Sequence, residues 1–317
     1  MKQWGRTGWL LAVVGVVLLA MAIMAPGFYE PQPLLSLFTR KAPLLVMVTG
    51  MTLVILTRQI DISVGSVFSV AGVVAAIAAA AGWPLPLVFA AAMASGALLG
   101  ACNAVLVAGL GLPSIVVTLA MMVAVRQGLN LGRQGRFVEL PEGVQWFGWG
   151  QLTGQVVVLA IAVVVTVTVA WGLRHLAVGR WVYAVGSDAE AARLAGIRPR
   201  RVTFGALVAM GMFAGLAAAL NMVQSPQLQP SSGTGFELEV IAAVVVGGVA
   251  ISGGRGRLSG ACVGLVLLML VAPALTHLRV PAYWEKAIQG AVILAAAWSE
   301  RERKKVAAVA VAEGPAA

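Results

Sequence analysis

Ten stretches of nearly uninterrupted apolar sequence alternate with short polar punctuation. They run from Gly8 to Ala25, Pro43 to Thr57, Val64 to Ala81, Leu85 to Ala108, Pro113 to Leu131, Val156 to Leu173, Val202 to Met222, Leu238 to Ile251, Leu258 to Leu275 and Tyr283 to Trp298. Most approach the roughly 20 residues that a helix needs to cross a bilayer. Two are shorter, at about fifteen residues or fewer: Pro43 to Thr57 and Leu238 to Ile251. Both run into Gly/Ser-rich polar sequence, RQIDISVGS (Arg58 to Ser66) and ISGGRGRLSG (Ile251 to Gly260). Broken helices are tolerated in a membrane only where protein or a cavity surrounds the freed backbone. Arg58, Asp61, Ser63, Gly65, Ser66, Gly253 and Gly254 are therefore candidates for moving or path-lining elements. The alternative is a pair of ordinary loops with misplaced edges.

One polar interruption is long enough to hold structure of its own: RHLAVGRWVYAVGSDAEAARLAGIRPRRV, from Arg174 to Val202. Ser187 is placed to cap a short helix over Asp188 to Ala195, and Glu190, three residues on, to complete a capping box. Gly196 supplies the left-handed terminator and Pro199 blocks continuation. About eight residues do not make a helix that is stable alone in water. With Ala191, Leu194 and Ala195 on one side, the segment reads as a docking helix.

Composition fixes the class. Of 317 residues 60% are hydrophobic and 11% charged, with a mean hydropathy of +0.93, more apolar surface than one soluble core hides. The expectation is an all-α, polytopic helical membrane protein of about ten transmembrane helices. The net charge of +10 is scattered between the runs, so the positive-inside rule accounts for it better than nucleic acid does. With both termini cytoplasmic, the inner segments hold Lys2, Arg6, Arg58, Arg174, Arg180, Arg193, Arg198, Arg200, Arg201, Arg255, Arg257, Arg301, Arg303, Lys304 and Lys305, fifteen of the 22 basic residues. The chain is then one permease-like domain, 1–317, with an external loop at 132–155 anchored by Trp146 and Trp149, a cytoplasmic loop at 174–202 and a cytoplasmic tail at 299–317. The first run reads as an uncleaved anchor. LLGACNAVLVAGLGLP (Leu98 to Pro113) resembles LSGACVGLVLLMLVAP (Leu258 to Pro273), and IDISVG (Ile60 to Gly65) resembles VAISGG (Val249 to Gly254). The offsets differ, and an inverted five-plus-five repeat stands as one reading of them.

No catalytic constellation is present. The sequence lacks GxxxxGK[ST], HExxH and CxxC, and Cys102 and Cys262 lie inside apolar runs as packing residues. Neither metal nor cofactor is expected. If ATP drives this protein, another chain hydrolyses it. Asp61 is three residues from Arg58, a spacing that on a helix allows an ion pair; contact with a solute is the other reading. Glu237 and Glu239 cap the eighth run or line an external mouth. Asn103, Gln127 and Asn130 suit solute hydroxyls, or else bond across helices.

The motifs GMTLVILTRQIDISVGSV (Gly50 to Val67), GLGLPSIVVTLAM (Gly109 to Met121), VYAVGSDAEAARLAGI (Val182 to Ile197) and FELEVIAAVVVGGVAISGGRGRLSG (Phe236 to Gly260) lie in order over nearly the whole chain. Together they resemble the ribose-type permeases of bacterial ABC importers, a group that serves ribose, arabinose, galactose, xylose, rhamnose and a furanose-derived autoinducer. Where that family commonly has two glycines before Ile-Asp, this chain has Arg58 and Gln59, closer to the rhamnose and autoinducer branches. The resemblance implies an inner-membrane permease subunit, surrounded by membrane lipid and paired with a second, identical or related permease. It also implies two cytoplasmic ATPases and a periplasmic sugar-binding protein. Glu190 to Gly196 would be the coupling helix in an ATPase groove, with Ser187, Glu190, Ala191, Arg193, Leu194 and Gly196 as coupling residues. An ion-coupled secondary transporter is the alternative, and it would need intramembrane ionisable groups that this chain has in small number.

Overall fold

The computed structural model describes residues 2–24, 29–277 and scattered positions between 281 and 294. The tenth run, Tyr283 to Trp298, lies largely outside the described residues, as does the tail at 299–317. The first run is helical over Lys2–Met24 (α1). There follow α2 (Pro31–Leu56), α3 (Val64–Ala80), α4 (Leu85–Ala104, continued by a π-turn to Gly109), α5 (Ser114–Arg133), α6 (Gln151–His175), α7 (Ala177–Ser187), α8 (Ala189–Leu194), α9 (Pro199–Met222), α10 (Phe236–Val246), α11 (Leu258–Met269) and α12 (Val271–His277). Among the described residues six helical stretches are long and apolar enough to cross a membrane, with α3 a shorter apolar helix. The protein is thus a helical polytopic membrane protein.

One expected short span is corrected. Pro43 to Thr57 is the second half of α2, whose 26 residues extend about 39 Å at 1.5 Å each. Arg40 and Lys41 interrupt the apolar run, and Pro43 sits inside the helix without ending it. Leu238 to Ile251 is short in the structure too. Its helix, α10, has 11 residues and is about 16 Å long, half of what a crossing takes.

Helix α2 is the central post: Met47, Met51, Val54, Ile55 and Leu56 are fully buried beneath α6, α9, α10 and α11. The tightest pairing joins α4 to α9. A Cβ on Gly96 would stand 2.1 Å from the Gly211 carbonyl oxygen, and one on Gly211 would stand 2.1 Å from that of Gly96. Gly96/Gly100 and Gly211/Gly215 are two GxxxG pairs face to face, the arrangement by which membrane helices gain close contact without a hydrophobic driving force.

Strand structure is confined to a two-residue ribbon among the described residues. Val138–Glu139 from the loop at 132–155 pairs antiparallel with Gln227–Leu228 beyond α9, and the Trp146 amide donates to the Val223 carbonyl (2.7 Å). Of the two expected anchors, Trp146 packs on Gly154, while Trp149 is exposed. The ribbon lies at the opposite end of α9 from α8. IDISVG and VAISGG each follow a helix that runs towards the α8 end, so their likeness carries no inversion of topology.

Candidate coupling site

The segment after α6 folds as an amphipathic helix, α7, and then the short α8. The cap of α8 is Asp188 and not Ser187, a correction to the sequence reading. Asp188 has the extended backbone of a cap (φ −156°, ψ 109°) and accepts from the amides of Glu190 (2.9 Å) and Ala191 (3.0 Å). Ser187 is still the last residue of α7. The capping box is absent for the same reason: the Glu190 carboxylate instead takes the Arg193 guanidinium at 2.5 and 3.0 Å. The Ala191 and Glu190 amides hold the Asp188 carboxyl below its usual pKa, and Arg193 does the same for Glu190. The helix ends as expected, with Gly196 at φ +83° and the Ile197 amide on the Ala192 carbonyl (3.0 Å). Ala192 alone turns inward, whereas Ala191, Leu194 (77% exposed) and Ala195 face away from the rest of the chain.

α7 carries α8 to a three-way junction. A Cβ on Gly186 would stand 1.7 Å from the Leu56 carbonyl oxygen, at the end of α2, and 2.5 Å from the Gly254 nitrogen. The Gly254 amide donates to that same Leu56 carbonyl (3.0 Å). Gly254 has φ +67°, and a Cβ there would meet Ser187 at 2.2 Å. Gly253 (φ +80°) lies against Arg58, and the Tyr183 hydroxyl donates to the Gly256 carbonyl (3.1 Å). The platform beneath α8 thus touches both polar breaks, and the sequence alone had no means of bringing them together.

The first break is held by side chains. Asp61, 1% exposed, accepts from the Ser63 amide (2.9 Å) and hydroxyl (2.6 Å). Asn103 donates to the Ser63 hydroxyl (2.8 Å), and the Ser66 hydroxyl to the Ser63 carbonyl (2.7 Å). Thr118 and Ser114 of α5 accept from the amides of Ile62 and Ile60. The expected Arg58–Asp61 ion pair is not formed. Residues 57–63 are not helical, so three-residue spacing does not align the two, and Arg58, at φ +66°, is exposed.

The second break begins at α10. Glu237 and Glu239 stand in its first turn, where their charge suits a helix N-terminus, but neither makes a side-chain cap; they bind Arg126 of α5 (3.1 Å) and Lys41 of α2 (2.5 Å). Lys41 lies 15 residues before Leu56, about 22 Å up the helix, so the pair is far from the α8 end. Gly65 makes room for Glu237, since a Cβ there would stand 2.2 Å from its Oε2. Lys41 and Arg126 were legible only as isolated charges within or beside apolar runs.

Of the three solute candidates, Asn103 gives its Nδ2 to Ser63 while its Oδ1 is buried without a partner among the described residues, and Gln127 and Asn130 lie exposed on α5, bonded to each other (3.4 Å). A cavity of about 680 Å³ at the end away from α8 is lined instead by Ser36, Arg40, Lys41, Asn221, Gln224 and Phe236 among others. No group of three or more metal-ligating side chains converges among the described residues.

Residues 34–297 match the family described as the branched-chain amino acid transport system / permease component. The chain is 32% identical over 308 residues to the ribose import permease protein RbsC of Escherichia coli strain K12, covering 96% of each. It is 35% identical over 292 residues to the autoinducer 2 import system permease protein LsrC of Escherichia coli strain K12 / DH10B, covering 90% of this chain and 84% of that one. No solved structure matches it.

Proposed function

The chain belongs to the permease-component family of branched-chain amino acid transport systems, and on that premise we propose that it is the membrane permease of an ABC importer for a monosaccharide or similar hydroxyl-rich solute. The relatives named for ribose and autoinducer 2 import support the solute class, and those two compounds are the first to test. The observation that carries the coupling role is the capped, outward-facing α8 seated, through Gly186 of α7, on both breaks at once. The permease catalyses no reaction itself. An ATPase subunit that grips Ala191, Leu194 and the Glu190–Arg193 pair moves α7, and with it Leu56 and Gly254. Its differential affinity for the two arrangements supplies the free energy of alternating access.

In this reading 1–317 is one domain with ten crossings and cytoplasmic termini in the inner membrane, joined to a second permease, two ATPases and a periplasmic binding protein. A secondary transporter would leave an ionisable group ready to take an ion. Here Glu237 and Glu239 each hold a cation and Asp61 accepts from Ser63, but one Glu237 oxygen is buried without a partner among the described residues, so what supports the ATP-driven reading is the family of transport-system permease components and the outward-facing α8. In proteoliposomes with the ATPase and binding protein, internal ATP should drive uptake after ionophores collapse both ion gradients. Glu190→Arg should remove substrate-stimulated hydrolysis while leaving insertion intact. Uptake that persists without ATP and stops with ionophore would give the case to ion coupling, and Asp61→Asn would then be the variant to make.

A further inference from the structure

At the α8 end of the molecule, α6, α7, α9 and the last turns of α2 leave a cavity of about 450 Å³. Leu53, Val169, Leu173, Trp181 and Val202 are among its apolar walls, and Arg201 is its one charged lining residue. The helices stand apart here: nothing lies within 4 Å of where a Cβ on Gly205 would be, in contrast to the closed α4–α9 contact at Gly96 and Gly211. An apolar gap offers water nothing to bond, so an apolar occupant is called for.

The charge around its mouth selects that occupant. Arg201 stands four residues before Gly205, on the same face of α9. Arg198, three residues before Arg201, shares its face of α9, and Arg180 in the first turns of α7 donates to the His175 carbonyl (3.5 Å). All three are exposed, and the ion pairs among the described residues engage none of them. We infer that this groove binds one anionic phospholipid, with an acyl chain between α6 and α9 and the phosphate on Arg201. A small anion has no use for the cavity, and a neutral lipid has none for the arginines. Because α7 forms one wall and bears α8 at its end, the lipid braces the platform on which α8 sits. That last consequence rests on the transport reading; the binding itself does not.

The full chain in phosphatidylcholine nanodiscs doped with a photoactivatable phosphatidylglycerol tests the inference. Label should enter residues 168–182 and 201–209, and unlabelled phosphatidylglycerol should displace it where phosphatidylcholine does not. Arg201→Gln should weaken the competition about fivefold, the share of one basic contact. Gly205→Leu, which fills the cavity from an open helical position, should abolish labelling without lowering the melting temperature. Equal displacement by phosphatidylcholine, or labelling that survives Gly205→Leu, overturns the inference. So does a cysteine at 205 that cross-links to a second copy of the chain, since the groove would then be a subunit interface. A nanodisc presents both leaflets alike, so none of these outcomes depends on topology or on transport.

Discussion

Lys41–Glu239 and Arg126–Glu237 show why charge survives inside this protein. A lone ionised side chain at the centre of a spanning helix costs about 2.5 to 3.5 kcal/mol on insertion scales, and each of these has a partner on another helix that removes most of that cost. Two adjacent ties, one to α2 and one to α5, hold the start of α10, which is too short to anchor itself. Removing one member of a buried pair strands the other. Lys41→Met should therefore cost on the order of 2 to 3 kcal/mol, somewhat less than the roughly 3 to 5 of a fully buried pair, because the Lys41 side chain keeps 21% exposure. Lys41→Met with Glu239→Leu should recover most of the loss. Thermal unfolding of the four proteins of this cycle, in one detergent, measures the difference; equal losses for the single and double variants would mean that the pair does not hold α10. Asp61 teaches the complementary lesson, since one oxygen of its carboxyl takes both a hydroxyl and an amide of Ser63, and among the described residues no cation pairs with it.

At the scale of elements, the junction of α7 with the ends of α2 and α10 is made of backbone. Only glycine lets the three chains approach so closely, because any Cβ at 186 overlaps the Leu56 carbonyl. Overpacking of this kind typically costs about 1 to 3 kcal/mol. Gly186→Ala is expected to lower the melting temperature modestly and to separate the two activities of the assembled transporter: α8 remains able to hold the ATPase, so hydrolysis continues, while solute uptake falls at least tenfold. Hydrolysis and uptake measured in the same proteoliposomes check this, and an unchanged ratio between them would show that α8 acts by another route. The short helix itself was legible, since DAEAARLAG contains its cap, its pair and its glycine stop. Which of two adjacent cap-forming residues does the capping was not. That depended on where α7 ends, which tertiary contact at Gly254 decides.

For the whole molecule, the orientation proposed from the distribution of basic residues places α8 and the loop at 132–155 on opposite sides of the membrane. In the structure these features lie at opposite ends of α9, as such a topology requires. Single cysteines at Ala189 and at Glu142, in a background lacking Cys102 and Cys262, should label oppositely with an impermeant reagent applied from outside: Glu142 reacts and Ala189 does not. Reaction at Ala189 would reverse the orientation and remove the ATPase from the reach of α8.

Class, membrane residence, family and the short capped helix were determined by the sequence itself, because each is written in local features: run length, hydropathy and a capped octapeptide with its flanking motifs. The length of α2 was not, because a window of apolar residues stops at Arg40 and Lys41 while a helix does not, provided that another element supplies the counter-charge. The partners of Asp61, Glu237 and Glu239 were likewise decided by tertiary structure. Arg58 is three residues from Asp61 in sequence but is turned away by a left-handed backbone, whereas Lys41 reaches Glu239 across 198 intervening steps of the chain. Sequence spacing fixes a contact only while the backbone between two residues is regular. At the breaks it is not, and there folding alone brings Leu56, Gly186 and Gly254 to one point.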